Sequence, residues 1–247
     1  MEKRYGKTWL NDIEVPYIIS GKGKPVILLH GWQGNYKNFG KMIDILSEHF
    51  KVYSFNSRER INASWSWDKS ITLDMLKEDI SEFMKVMNIE KPSLIGYSDG
   101  ANLALKFAIE DKDKIDKIVA ISPNTSPFGL RKPFLFSYIL GDFFANIQYR
   151  LIHFFSKKSL IEILAYRFKL LTDLIIVEPH ITTDELKNIS TPTFLIFGQW
   201  DSTGKKDIYK MKTKIKNATT MTLAGGFHTF MLKYYKRYIH EIIDFLN

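Results

Sequence analysis

Residues 96–100, with the sequence Gly-Tyr-Ser-Asp-Gly, constrain the fold of this chain more than any other segment. A short apolar run precedes them, and the segment 101–109 is rich in helix-forming residues whose apolar side chains recur three and four apart. This pattern predicts a buried strand, a sharp turn and a helix. Gly96 and Gly100 suit such a turn, because a Cβ at either position would collide with the neighbouring strand or helix. A G-x-S-x-G turn of this kind exposes the serine hydroxyl, so the segment predicts that Ser98 sits on a nucleophile elbow.

A glycine-rich turn can also carry a serine that only caps the following helix, so the rest of the chain has to decide. Apolar runs that predict strands alternate with amphipathic segments that predict helices along most of the sequence. The predicted strands are 5–10, 13–19, 26–29, 51–55, 92–95, 115–121, 194–197 and 219–223, and the predicted helices are 38–48, 73–87, 101–109 and 229–246. This alternation predicts an α/β fold with a mostly parallel central sheet and helices on both faces.

The alternation breaks between residues 123 and 189, where two helix-like segments, 134–149 and 151–172, are rich in aromatic residues. We interpret residues 126–189 as a helical cap insertion and residues 1–125 and 190–247 as the core domain. We expect most of the aromatic side chains to form the core of the cap and a few to line an apolar pocket that faces Ser98. These aromatic residues are Phe134, Phe136, Tyr138, Phe143, Phe144, Phe154, Phe155, Tyr166 and Phe168.

The composition narrows the remaining classes of protein. The chain has 247 residues and no Cys, which excludes disulfides, a cysteine nucleophile and a thiolate metal site. The first 20 residues lack the apolar region of a signal peptide, and no run reaches the roughly 18 apolar residues of a transmembrane helix. We therefore expect a cytoplasmic protein that uses no metal or cofactor.

The net charge of +8 is concentrated in the segment 205–216, which carries six lysines. Such a segment can bind nucleic acid or an anionic membrane surface, and a protein with that function is one alternative for this chain. No aromatic residues alternate with these lysines and no nucleic-acid motif accompanies them. We interpret the segment as the solvated face of a surface helix, and we expect neither nucleic acid nor membrane as a partner. The oligomeric state is not predicted.

A serine nucleophile needs a base that takes its proton and an acid that orients the base. In the elbow fold, these partners follow the serine in the order acid, then histidine, on loops after later strands. His228 has this position, after a predicted strand and two glycines; the five other histidines precede Ser98 or lie in predicted helical or cap segments. Asp201 ends the segment after strand 194–197 and is the predicted acid, although it could instead cap a helix. Asp207 and Asp184 are its rivals.

The oxyanion of an acyl-transfer intermediate requires two backbone donors. One candidate is the N–H of Asp99, next to the nucleophile at the start of a helix. The other is the N–H of Trp32, in a loop after the first buried strand, where His30 and Gly31 are expected to shape the turn. Tyr97 is expected to form a wall behind the nucleophile.

These segments, taken in order along the chain, resemble the α/β-hydrolase superfamily. The matching parts are the loop at residues 30–32, the elbow around Ser98, the segment that ends at Asp201 and the loop before His228. The resemblance implies an α/β-hydrolase fold with a helical cap between the sixth and seventh core strands. Residues 56–62 depart from it, because family members often carry an Asp-x-Arg-Gly-x-Gly loop there and this chain keeps only Arg58.

A serine at position 98 also separates this chain from the haloalkane dehalogenases and epoxide hydrolases of the superfamily, which use an aspartate nucleophile. The resemblance therefore implies acyl transfer to water. We expect a carboxylesterase-like serine hydrolase that acts on a small acyl ester. A thioesterase, an amidase, a carbon–carbon hydrolase and a non-catalytic ligand-binding protein with the same fold are the alternatives.

Overall fold

The computed structural model describes residues 2–32, 34–58, 71–155 and 160–247. In these ranges eight strands form one sheet in the order β1-β2-β4-β3-β5-β6-β7-β8. The strands are β1 Lys3–Leu10, β2 Ile13–Ser20, β3 Pro25–Leu29, β4 Lys51–Phe55, β5 Ser93–Tyr97, β6 Ile118–Ile121, β7 Thr193–Trp200 and β8 Ala218–Phe227. The β1–β2 hairpin pairs antiparallel with β4, whereas β3 to β8 run parallel to one another. The predicted fold class is confirmed.

Helices cover both faces of the sheet. They are α1 Lys41–Leu46, α2 Leu73–Val86, α3 Asp99–Glu110, α4 Lys132–Phe155, α5 Leu160–Val177, α6 Thr183–Asn188, α7 Lys205–Lys214 and α8 Ile239–Leu246. Successive strand residues point to opposite faces. Ile27 and Leu29 therefore join a core with α2, α3 and α6, while Val26 and Leu28 join a second core with α1 and α8.

The strands and helices after residue 190 differ from their predicted bounds. β7 and β8 continue to Trp200 and Phe227, beyond the apolar runs that predicted them, because each strand hydrogen-bonds to the other across a local register shift. The helix predicted at 229–246 is wrong in its first half, where His228–Arg237 forms a 3-10 helix before α8 begins. Both candidate catalytic loops therefore begin directly at strand ends.

The insertion between β6 and β7 holds α4 and α5, which pack against each other. The expectation that its aromatic side chains are mostly internal is wrong. Seven of the nine are exposed: Phe134, Phe136, Phe143, Phe144, Phe154, Phe155 and Phe168. The physical reason is that two helices packed as a pair enclose little volume, and Ala145 is the buried residue of α4. The domain boundaries at 126 and 189 stay predictions.

The remaining helix of this insertion, α6, begins with a capping box between Thr182 and Glu185. Its Leu186 is fully buried in the first core, where α6 packs against α3 and α7. Across the described ranges, no helix combines the length and the apolar character needed to cross a membrane.

Candidate active site

Ser98 lies on the turn between β5 and α3, with φ 54° and ψ −120°. A positive φ is uncommon for a residue with a side chain and marks local strain. The two flanking glycines permit this turn. A Cβ on Gly96 would lie 2.1 Å from the carbonyl oxygen of Gly100, and a Cβ on Gly100 would lie 2.1 Å from that of Leu29. The predicted strand–turn–helix is therefore present. The alternative in which the Ser98 side chain only caps the helix is wrong, since that side chain makes no capping hydrogen bond.

The three residues predicted as a triad form one hydrogen-bonded chain. The Ser98 hydroxyl lies 3.1 Å from Nε2 of His228, and Nδ1 of His228 lies 2.8 Å from Oδ1 of Asp201. A carboxylate only accepts, so Nδ1–H donates to Asp201 and Nε2 is left to accept the Ser98 proton. This is the geometry that general-base activation of a serine requires.

The ends of β7 and β8 bring the acid and the histidine together. Trp200 pairs with Phe227 as the last pair between these parallel strands. Asp201 and His228 are the residues that directly follow this pair, so their side chains meet at the carboxyl edge of the sheet. Open α/β sheets place their ligand sites at this edge.

Asp201 is fully buried and held by several donors. Its Oδ2 accepts hydrogen bonds from the Ser122 hydroxyl at 2.6 Å and from the Gly198 N–H at 2.9 Å. Burial alone would raise the pKa of Asp201. The hydrogen bond and the charge of His228, together with these donors, outweigh burial and hold the pKa below its ordinary value. Asp201 is therefore ionised at neutral pH and can stabilise a protonated His228.

Tyr97 contacts His228 as well as lying beside the nucleophile. Its hydroxyl donates to the carbonyl oxygen of His228 at 2.7 Å, and the two rings lie 5.6 Å apart at 31°. The expected wall residue is therefore also a brace for the backbone of the histidine.

The loop after β3 is shaped by His30. Its Nε2 accepts the N–H of Ser57 at 3.1 Å, so Nδ1–H donates to the carbonyl oxygen of Gly31 at 3.0 Å. The buried imidazole thus ties two loops together, as its predicted architectural role requires. Gly31 lies against the elbow, where an added Cβ would come within 2.9 Å of the Cβ of Ser98.

The two backbone N–H groups predicted to bind the oxyanion differ in whether they already donate a hydrogen bond. The N–H of Asp99 is the first of α3, and the first N–H groups of a helix have no partner within it. The N–H of Trp32 instead donates to the carboxylate of Asp99. Burial raises the pKa of this carboxyl to about 6, against the opposing effects of His228, Trp32 and Asn102. Sequence reasoning gave the Asp99 side chain no role.

The rival acids lie elsewhere. Asp207 is buried and accepts the N–H of Thr125 at 2.7 Å. Asp184 is exposed and pairs with Lys187 at 2.8 Å. Of the three candidates, Asp201 is the one that the structure brings to His228.

A cavity of about 180 Å³ opens onto Ser98 and His228. Trp32, Tyr97 and Tyr138 line it, together with Asp99, Asn124, Leu130, Ile175, Glu178, Ser202 and Thr229. Tyr138 comes from α4 and packs edge-on against Trp32. Of the predicted cap aromatics, Tyr138 lines this cavity. Ile175 of α5 and Glu178, which directly follows α5, line it as well.

Sequence reasoning missed Ser122, Asn102, Asn124 and Glu178. Ser122 follows β6 and reaches Asp201, and its positive φ of 56° has no sequence signal. Asn102 and Asn124 bond to each other at 2.8 and 3.0 Å, and Asn102 lies 3.4 Å from Asp99. An Asn inside a predicted helix, two residues after the elbow, is the available sequence signal for this network.

The atypical loop at 56–62 is described only as far as Arg58. That side chain is buried and donates twice to Asp79 of α2, at 2.7 and 2.6 Å. The rest of the loop lies outside the described residues. Arg58 therefore joins its loop to α2 rather than entering the cavity.

Most of the basic segment 205–216 belongs to α7, whose Asp207 and Met211 face inward. Lys205, Lys206, Lys212 and Lys214 are exposed. This is consistent with a solvated helix face.

The fold and the elbow define a class of protein. A family model described as alpha/beta hydrolase fold matches residues 24–161, which is more than half of the chain. The chain belongs to this family.

Among particular relatives, the chain is 24% identical over 233 residues to AB hydrolase superfamily protein YisY of Bacillus subtilis strain 168, covering 84% of this chain and 86% of that protein. It is 24% identical over 120 residues to a soluble epoxide hydrolase of Corynebacterium sp. strain C12, covering 47% of this chain and only 41% of that relative. An enol-lactonase structure from Burkholderia xenovorans LB400 matches with a TM-score of 0.78 at 15% identity, over 98% of this chain and 99% of that chain. At 15% identity this likeness shows the fold alone.

Proposed function

We propose that this protein is a serine hydrolase that cleaves small carboxylic esters through an acyl-enzyme. The observation that carries the proposal is the continuous hydrogen-bonded chain from Ser98 through His228 to Asp201, at 3.1 and 2.8 Å. A ligand-binding protein of the same fold has no need of this series of hydrogen bonds. The soluble epoxide hydrolase among the relatives is named for a different reaction, and a serine rather than a carboxylate stands at the elbow here.

In the proposed reaction, Ser98 Oγ attacks the ester carbonyl carbon while its proton passes to Nε2 of His228. The carbonyl electron pair moves onto oxygen, where the N–H of Asp99 donates to it, joined by the N–H of Trp32 once that group leaves the Asp99 carboxylate. Collapse of this intermediate breaks the bond to the alcohol, which leaves with the proton from His228. Water then repeats the sequence on the acyl-enzyme, releases the acid and restores Ser98.

The test is hydrolysis of 4-nitrophenyl acetate and butyrate by the wild type and by Ser98→Ala. We expect loss of the nucleophile to lower the rate on the order of 10⁴-fold. Ser81→Ala, which removes a hydroxyl on α2 that donates to the carbonyl oxygen of Lys77, is the matched control and should retain activity. Equal activity of the wild type and Ser98→Ala would reject the proposed function.

A further inference from the structure

We propose that the cavity at Ser98 selects substrates with a positively charged amino group next to the scissile carbonyl, and that Asp99 and Glu178 bind this group. The inference rests on the proposed function, because it names the substrate class of the same site. Three features of the cavity carry it: the charge of its wall, the hydrogen bond that occupies the Trp32 N–H, and the aromatic rings beside the carboxylates.

The wall of the cavity is acidic although the chain is basic. Asp99 and Glu178 both line the cavity, and its described lining contains no Lys or Arg. Because the chain carries a net charge of +8, its overall composition does not explain why two carboxylates line this cavity. Within the described ranges, neither of them forms a salt bridge with Lys or Arg. A cation from the substrate would therefore meet two carboxylates that form no salt bridge with any Lys or Arg that the structure describes.

The Asp99 carboxylate also conflicts with the reaction unless a cation is present. It accepts the backbone N–H of Trp32, which the proposed mechanism needs for the oxyanion. An ionised carboxylate at this place would withhold the donor and repel the developing negative charge. A substrate ammonium group removes both obstacles, since it pairs with Asp99 and draws the carboxylate away from Trp32. A neutral ester has no group that does this.

The position of Asp99 limits which carbon of the substrate's acyl chain can carry the amino group. Asp99 directly follows the nucleophile, and its carboxylate accepts from the Trp32 N–H, a candidate oxyanion donor, so a substrate group that pairs with Asp99 is held near the acyl carbonyl. Burial raises its pKa to about 6, which leaves it ionised at neutral pH. An amino group on the carbon next to the carbonyl therefore fits this position better than one farther along the acyl chain.

Aromatic rings complete the binding environment. Trp32 and Tyr138 line the same cavity, with their ring centroids 6.3 Å apart. Ammonium groups bind favourably against such rings. The indole Nε1 of Trp32 is buried and has no hydrogen-bond partner in the described structure. The cavity thus offers carboxylate acceptors and aromatic rings for a cation in one place.

The test compares two benzyl esters of nearly equal shape, those of alanine and isobutyric acid, which differ by an ammonium group in place of a methyl group. The preference ratio is kcat/KM for the alanine ester divided by kcat/KM for the isobutyric ester, both at about pH 7. This ratio is then divided by the corresponding ratio of rate constants for hydroxide-catalysed hydrolysis, which corrects for the different intrinsic reactivity of the two esters. We expect the wild type to favour the alanine ester. Asp99→Asn should lower the preference by about tenfold or more, as expected for loss of a hydrogen bond to a charged group, and Glu178→Gln should lower it less.

The ratio cancels any general loss of activity in a variant. Asp113→Asn, which neutralises an exposed carboxylate outside the cavity, is the matched control and should keep the wild-type ratio. An unchanged ratio in both Asp99→Asn and Glu178→Gln would overturn this inference and leave the proposed function standing, provided that Ser98→Ala is inactive on both esters. Activity that survives in Ser98→Ala would overturn the proposed function and this inference with it.

Discussion

At the scale of single residues, the position of His228 depends on contacts to both its ring and its backbone. Asp201 fixes the ring through Nδ1, and the Tyr97 hydroxyl fixes the backbone carbonyl at 2.7 Å. A base displaced by a fraction of an ångström transfers protons less efficiently. Tyr97 therefore acts on the reaction through His228, as a positioning residue.

We predict that Tyr97→Phe lowers kcat for a small ester about three- to tenfold and lowers the free energy of unfolding by about 1 kcal/mol. Tyr238→Phe is the matched control, because the buried Tyr238 hydroxyl donates to the carbonyl oxygen of Met231 at 2.6 Å rather than to that of His228. It should lose similar stability and keep its activity. Equal kcat losses in the two variants would contradict a positioning role for Tyr97.

The raised pKa of Asp99 also has a consequence for stability. The pKa rises from 3.8 to about 6, so the folded protein binds this proton more tightly than the unfolded chain. The stability linked to Asp99 is therefore fully present below about pH 4 and is lost as the pH rises through about 6. We predict that Asp99→Asn raises the free energy of unfolding by about 1–2 kcal/mol at about pH 8 and that this gain disappears at about pH 4. Urea unfolding at the two pH values measures it, and a loss of stability at about pH 8 would contradict the burial of this charge.

At the scale of elements, the elbow depends on how closely β5 and α3 approach. Gly96 faces the backbone of Gly100, which cannot move aside as a flexible side chain could. We predict that Gly96→Ala lowers the free energy of unfolding by about 3 kcal/mol or more and abolishes ester hydrolysis, because the turn that presents Ser98 is displaced.

Gly141→Ala is the control for this substitution. Gly141 lies within α4 with nothing within 4 Å of an added Cβ. Alanine there should stabilise the protein by up to about 1 kcal/mol, because it is the better helix former. Denaturant unfolding measures both variants. Tolerance of Gly96→Ala with retained activity would contradict the described elbow.

Local sequence patterns predicted those features of the site that lie within a single segment of the chain. The strand before Ser98, the helix after it and the order of Asp201 and His228 follow from short-range signals. The contacts of Ser122 with Asp201 and of Asn124 with Asn102 cross between segments 79 and 22 residues apart, so no local pattern carries them. The exposed faces of α4 and α5 were missed for a similar reason, since apolar content alone does not say whether a neighbouring element covers a helix.

At the scale of the whole molecule, the lysine-rich face of α7 is separate from the candidate active site. The exposed lysines of α7 lie outside the acidic cavity, and Lys210 is held by Asp207 at 3.2 Å. We predict that changing Lys205, Lys206, Lys212 and Lys214 together to Gln leaves kcat/KM for a neutral ester within about twofold of the wild type at low and high salt. A loss of activity in this variant that matches a loss caused by salt in the wild type would instead show that the lysines attract an anionic substrate.

Every step of the proposed reaction depends on Ser98 being a nucleophile that His228 activates. The most direct measurement is reaction with a fluorophosphonate probe, followed by mass spectrometry of the intact protein and of its peptides. We predict a single adduct on Ser98 in the wild type, with its rate of formation strongly reduced in His228→Ala. A wild-type protein that forms no adduct with excess probe, or forms it on another residue, would contradict this role of Ser98.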